Sequence, residues 1–253
     1  MDLATVIRQV RVRDDELAVL WTGQAGFVLV DGMGRKLAID LYLTDCGERI
    51  RGFKRLSPKL LSPTEVEPDY YLITHAHFDH LDYDAIPIIA ASKKTIFCGP
   101  TSCIGELRKD YIREEQCILL NPGDKVLFDG VKVTAVEADH GRLAPDAIGF
   151  IVEMGKHCIY FTGDTGYLPQ NNQLIAKFEP DIAVVCINGQ FGNMDAQDGA
   201  KTAIEVGAKL AIPCHFWTFA EHEGNPKAFV EYVKKHSDTC KAKCMRHGEL
   251  LIV

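Results

Sequence analysis

Apolar positions in this chain come in short runs and alternations, set apart by clusters of turn-forming residues. Residues 16–21, 26–30 and 36–39 alternate or run apolar as half-buried strands do. Asp31-Gly32-Met33-Gly34 supplies a hairpin turn between the last two. Residues 41–68 carry Pro58, Pro63 and Pro68 among mixed charges, a long connection of the kind that serves as a functional lid. A short buried strand at 70–73 leads towards a helix at 83–91 and a strand at 94–98. Thr101 or Ser102 then caps a helix at 103–109. Strands follow at 117–120, 125–128 and 131–136, divided by Asn121-Pro122-Gly123-Asp124 and Asp129-Gly130. Residues 148–154 and 157–161 pair around Gly155-Lys156. The last third alternates strand 182–186, helix 196–206, strand 209–212, helix 226–236 and strand 249–253. Two halves emerge, each with strands followed by helices. An α/β (α+β) arrangement of two face-to-face sheets with helices outside buries that pattern, and residues 1–253 are expected to form one domain.

Composition changes this picture little. The 253 residues are 47% hydrophobic and 25% charged, ordinary for a globular protein. Acidic residues outnumber basic ones, 35 to 28, which argues against a nucleic-acid partner. The densest basic cluster, Arg51-Gly52-Phe53-Lys54-Arg55, is short and reads as a solvated loop. Nine scattered cysteines imply no disulfide framework and fit a reducing compartment. The first residues lack a basic start and a long apolar core, and no run approaches the ~20 apolar residues of a membrane helix. The expectation is a cytoplasmic protein with no membrane partner.

The chemistry concentrates at Thr74-His75-Ala76-His77-Phe78-Asp79-His80-Leu81-Asp82, directly after a strand. His75 and His77 are two apart, so in extended backbone both point the same way and can share one ion. Asp79 and His80 fall where the chain turns towards a helix and aim at a neighbouring point, so the spacing suggests two adjacent metal sites. Imidazole and carboxylate suit zinc, iron or manganese. A polar helix-start loop with solvated histidines is the alternative, and four such groups packed within six residues count against it. Three further strand ends carry ligand-type residues: His140, Asp164 and His215. Asp40, at the end of strand 36–39, is either a solvated cap or an orienter of a metal ligand. The spacing of His236, Cys240, Cys244 and His247 also suggests zinc, but a strand and a turn between them should make these side chains diverge.

The H-x-H-x-D-H run from His75 to His80, with His140, Asp164 and His215, resembles the metallo-β-lactamase superfamily over nearly the whole chain. Trp21-Thr22-Gly23-Gln24-Ala25-Gly26, Gly99-Pro100-Thr101-Ser102-Cys103, Gln116-Cys117-Ile118 and Asn121-Pro122-Gly123-Asp124 look like its L-ascorbate-6-phosphate lactonase subgroup. The resemblance implies a four-layer αββα sandwich with a site at one edge of the sheets. It implies two divalent ions, zinc first, with manganese or iron as alternatives. One would be held by His75, His77 and His140 and the other by Asp79, His80 and His215, with Asp164 bridging and Asp40 supporting. The loop Gly189-Gln190-Phe191-Gly192-Asn193-Met194 would border the pocket, so that Asn193 touches substrate. Phe216, Trp217, His222 and Asn225 could form a second wall, although His222 reads equally well as solvated. A homo-oligomer is also implied.

Hydrolysis is the expected chemistry. Two cations sharing a water give a bridging hydroxide near neutral pH. That nucleophile would attack a small lactone or phosphoester, with Asp79 orienting the water and returning a proton to the leaving group. His77 stands where oxygen- or nitric-oxide-reducing relatives usually have glutamate, and no flavin module accompanies it, so redox chemistry is disfavoured. A phosphodiesterase or nuclease acting on nucleotides or RNA is the second enzymatic reading, and a non-catalytic metal-stabilised binding protein is the reading of a different class.

Overall fold

The computed structural model describes residues 2–91 and 94–253. Six strands come first: β1 (Leu17–Gly23), β2 (Gly26–Asp31), β3 (Lys36–Ile39), β4 (Tyr70–Leu72), β5 (Ile96–Gly99) and β6 (Cys117–Leu119). Seven follow: β7 (Lys125–Leu127), β8 (Val131–Glu137), β9 (Ile148–Met154), β10 (His157–Phe161), β11 (Ile182–Cys186), β12 (Leu210–Cys214) and β13 (Lys241–Ala242). The closing strand β14 (Leu250–Ile252) returns to pair with β1. The first sheet therefore runs β14-β1-β2-β3-β4-β5-β6 and the second β13-β12-β11-β10-β9-β8-β7. Both sheets are built alike: an antiparallel meander, then parallel strands from β3 to β6 in one and from β10 to β13 in the other.

Strand side chains alternate between faces, and here both faces of the first sheet are covered. In β1, Leu17, Val19 and Trp21 enter the core shared with the second sheet, where Phe150, Val152 and Phe161 meet them. Ala18 and Leu20 point the other way, into a core with helices α1 (Leu3–Gln9), α3 (Ile86–Ala90) and α4 (Thr101–Lys109). On the far side, Ile175, Ala200, Ala203, Phe229 and Val233 of α5 (Pro169–Ile175), α6 (Ala196–Glu205) and α7 (Pro226–His236) cover the second sheet. The layers are helix, sheet, sheet, helix.

Local differences from the sequence reading have local causes. The helix expected at 83–91 starts at Ile86, because Asp82 Oδ1 accepts from the backbone of Asp84 and Ala85 and holds a turn first. The helix expected from 103 starts at Thr101, with Pro100 at its N-cap. Ser102 does not cap it but binds the Asp146 carboxylate through backbone and hydroxyl. The long 41–68 connection contains a further helix, α2 (Cys46–Arg51). It is fastened down by Arg55, which lies over the Tyr42 ring and donates to the carbonyls of Tyr42 and Thr44. All nine cysteines are free. Among the described residues, no helix is long and apolar enough to cross a membrane.

Candidate metal centre

Strand ends bring the ligand-type residues to one edge of the sandwich. After β4 the chain enters the loop of His75, His77, Asp79 and His80, and a hydrogen-bond frame fixes it. Asp40, at the end of β3, accepts from the Thr74 backbone at 2.8 Å, the Thr74 hydroxyl at 2.6 Å and His80 Nδ1 at 2.8 Å. Asp82 closes the loop from the other side, accepting from the backbone of Leu43 and Thr44 and from the Thr44 hydroxyl. His75 Nδ1 lies 3.0 Å from the Thr74 hydroxyl, and His77 Nε2 lies 3.2 Å from the Leu143 carbonyl. Each of these three imidazoles thus has one nitrogen engaged and the other turned inward, the usual way that outer partners orient metal-binding histidines.

The second sheet supplies single residues. His140 follows β8, Asp164 follows β10 and His215 follows β12. Gly163 makes the Asp164 position possible: its φ is +60°, and a Cβ there would lie 2.9 Å from the Ile148 carbonyl oxygen. His215 itself has φ +62°, and its backbone N–H donates to the Gln24 carbonyl at 2.9 Å. Of seven non-glycine residues with positive φ among those described, Gln24, Asp40, Phe191 and His215 lie at this edge. Such backbone costs about 1–3 kcal/mol each and persists where the surroundings dictate it.

The inward atoms converge in three overlapping groups, each within 4.8 Å: His75, His77 and His140; His75, His80 and Asp164; Asp79, His80 and His215. Asp164 spans them. Its Oδ2 is 3.8 Å from His140 Nε2, and its Oδ1 is 3.3 Å from His80 Nε2 and 3.2 Å from His215 Nε2. His75 Nε2 lies 2.9 Å from His77 Nδ1, and His80 Nε2 lies 3.0 Å from His215 Nε2. Lone-pair nitrogens facing one another at such distances need a proton or a cation between them, and Asp164 Oδ1 is buried without a hydrogen-bond donor. The donor set fits divalent ions.

For five of the seven groups, electrostatics favour the protonation states that a metal requires. Burial, reinforced by neighbouring imidazoles, holds His75 well below its ordinary value, and burial likewise lowers His77 and His140. Burial would raise Asp79 and Asp164, but the neighbouring His80 and His215 imidazoles outweigh it and hold both carboxyls below the usual carboxylate range. His80 goes the other way. Burial opposes its proton, yet Asp164, Asp40 and Asp79 together raise it well above the usual histidine range.

With this geometry in place, comparison with known proteins is decisive. A family model described as "Beta-lactamase superfamily domain" matches residues 41–216. The chain belongs to the metallo-β-lactamase superfamily. It also belongs with the UPF0173 metal-dependent hydrolases: one from Thermoplasma acidophilum is 35% identical over 225 residues, covering 85% of this chain and 90% of that protein. Among solved structures, Igni18, a metallo hydrolase from Ignicoccus hospitalis, superposes with TM-score 0.76 at 23% identity, over 94% of this chain and 98% of its own. An isothiocyanate hydrolase from Delia radicum gut bacteria gives TM-score 0.72 at 21% identity, over 92% and 98%. At these identities the two structures speak for the fold.

In this superfamily member the metal centre floors a cleft of about 620 Å³. Ile50, Arg51 and Phe53 of the 41–68 connection line it, together with Phe78, Phe191, Arg142 and Leu143. His222 lines the cleft and stacks on His215, with ring centroids 4.6 Å apart and 22° between planes. Asn193 is buried and donates to Asp164 Oδ2 at 2.7 Å, so it braces a ligand-type carboxylate. Trp217 does not face the cleft. It is 59% exposed, donates to the Gly224 carbonyl, and borders a separate hollow with Leu56 and Phe216. His215 and Trp217 both have left-handed backbone, φ +62° and +59°. His236 and His247 each bind a backbone carbonyl, of Tyr232 and Thr22, and no metal group forms there among the described residues.

Sequence reasoning missed Gln24 as a site residue. It is 1% exposed, and its Nε2 lies 2.7 Å from Asp79 Oδ2. Fifty-five positions separate the two, so no spacing rule could pair them.

Proposed function

We propose that this metal-dependent hydrolase is dinuclear and acts on a small lactone or phosphoester that carries an anionic group. The observation that carries this reading is the carboxylate of Asp164, which turns one oxygen towards the His75–His77–His140 side and the other towards His80 and His215. In this reading His75, His77 and His140 hold one ion, Asp79, His80 and His215 hold the second, and Asp164 bridges. Two such ions would supply a water acidified towards neutrality and would polarise the oxygen bonded to the substrate's electrophilic carbon or phosphorus.

The protein's own groups do the rest. Asp79, held ionised at the cleft floor, orients the attacking water and returns a proton to the leaving group. Phe53, Phe78 and Phe191 exclude bulk water from one side of the cleft. Arg51 and Arg142 line the cleft, and neither has an ion-pair partner among the described residues, which favours an anionic substrate and the phosphoester over an uncharged lactone. The net charge of −7 disfavours a long polyanion such as RNA.

The test combines elemental analysis with turnover on lactone, phosphomonoester and phosphodiester panels. About two equivalents of zinc, manganese or iron and chelator-sensitive turnover are expected, with turnover abolished in Asp79→Ala and His75→Ala. Full activity in either variant, or saturation at a single equivalent, would overturn the reading.

A further inference from the structure

The carboxamide of Gln24 is placed against three polar groups of the site at once. Its Nε2 lies 2.7 Å from Asp79 Oδ2, 3.0 Å from His215 Nε2 and 3.3 Å from His222 Nδ1, while its Oε1 is buried without a partner. The amide orientation follows from this contact: the NH₂ donates to Asp79 Oδ2 at 2.7 Å, and the flipped amide would press one oxygen against another. An NH₂ has two hydrogens for these three neighbours. One goes to Asp79. His215 Nε2 also points at Asp79, Asp164 and His80, so its lone pair belongs to the metal-facing side. The second hydrogen is left for His222 Nδ1.

We infer that Gln24 is a positioning residue that fixes His222 as the Nε2–H tautomer, making His222 a neutral hydrogen-bond donor to the substrate in the cleft beside the metal centre. A nitrogen that accepts from an amide cannot itself carry the proton, so Nδ1 is bare and the ring proton sits on Nε2. The ring is held in one plane by its stack on His215, and Phe219 meets it edge to face at a centroid distance of 5.0 Å. Phe53 and Phe191, which line the same cleft, stand T-shaped to this ring. A single amide thereby couples the carboxylate that handles the proton to the imidazole that steadies charge growing on a substrate oxygen. The strained backbone of Gln24, φ +53°, is held by its carbonyl, which accepts from Trp21 Nε1 at 3.0 Å and from the His215 backbone. The tautomer stands on geometry alone; the donor role rests on the hydrolase reading above.

The experiment is ¹⁵N-histidine NMR on the metal-loaded protein, which reports which ring nitrogen of His222 bears hydrogen, with His222→Gln identifying the resonance. Hydrogen on Nε2 in the wild-type protein is expected, and hydrogen on Nδ1 overturns the inference without needing any variant to fold. Gln24→Leu should release the preference, giving mixed tautomers, and keep the full metal content. An unchanged tautomer, or loss of one metal equivalent, would mean that Gln24 does other work. For turnover, His222→Phe should lower kcat on the order of a hundredfold with KM little changed. His222→Gln, which keeps an N–H near the same place, should recover much of that loss, and equal kcat in the two variants overturns the donor role. Absence of turnover in the wild-type protein on every panel counts against the hydrolase reading, while the NMR result still decides the tautomer.

Discussion

The first sheet delivers four of the seven inward-facing groups from one loop, His75, His77, Asp79 and His80, whereas the second delivers one from each of three strand ends, His140, Asp164 and His215. The contiguous set is shaped locally, by Asp40 and Asp82 gripping the loop from both sides. The dispersed set depends on strand register and on left-handed backbone at Gly163 and His215. Asp40 and Asp164 sharpen the contrast. They follow topologically equivalent strands, β3 and β10, yet one carboxylate braces a histidine from behind while the other enters the centre. The same architecture, used twice, has produced a frame on one side and a bridge on the other.

Removing the bridge should cost most. Asp164→Ala takes away the carboxylate proposed to be shared by the two metal sites, and turnover should fall by at least about a thousandfold with loss of metal in elemental analysis. Retention of both ions would show that the dispersed side is dispensable. Removing the frame should cost less. Asp40→Ala leaves every metal-facing atom in place but frees His80 Nδ1 and Thr74, and metal affinity measured by chelator competition should weaken about 10–100-fold. If it falls as far as in Asp164→Ala, frame and bridge are not distinct.

Backbone effects come next. Gly163→Ala forces a Cβ towards the Ile148 carbonyl at positive φ and should destabilise the fold by about 1–3 kcal/mol in chemical denaturation. The smallest effect separates the histidines themselves in the metal-free protein. His222 is pushed down to about 4, by burial and then by His215, and His75, His77 and His140 are lowered too. Groups lowered in the fold contribute stability above the ordinary histidine value of about 6.5 and lose it as pH falls through the folded value. His80, raised in the fold, contributes below about 6.5 and loses its contribution as pH rises. With His247 also lowered by burial, five against one predicts a melting temperature that drops between about pH 6.5 and pH 4; a flat profile would contradict these burial effects.

The sheets and the His75–His80 loop were legible in the sequence because strand alternation and ligand clustering are both short-range signals. Helix α2 was not legible: six residues give less than two turns of amphipathic pattern, and neighbouring prolines make the segment read as loop. The helix starts at Ile86 and Thr101 shifted because Asp82 holds a local turn through the backbone of Asp84 and Ala85, and Ser102 spends its hydroxyl on the distant Asp146. His222 was readable only as an even choice between wall and solvent, since its ring stack on His215 depends on how the chain folds back. That Trp217 borders the hollow of Leu56 and Phe216 was not legible either, since it depends on how distant segments pack.

The orphaned oxygen of Asp164 and the facing nitrogens of His80 and His215 have a consequence for how the protein's stability is measured. Those atoms come from different sheets and are brought together only in the folded chain, so the unfolded chain competes poorly for the same ions. By mass action, binding then adds to the unfolding free energy in proportion to the logarithm of free ion, about 2.7 kcal/mol at a hundred times the dissociation constant. Melting temperature is therefore a joint property of polypeptide and solution. Two preparations of identical sequence, dialysed against buffers of different trace-metal content, are different thermodynamic systems.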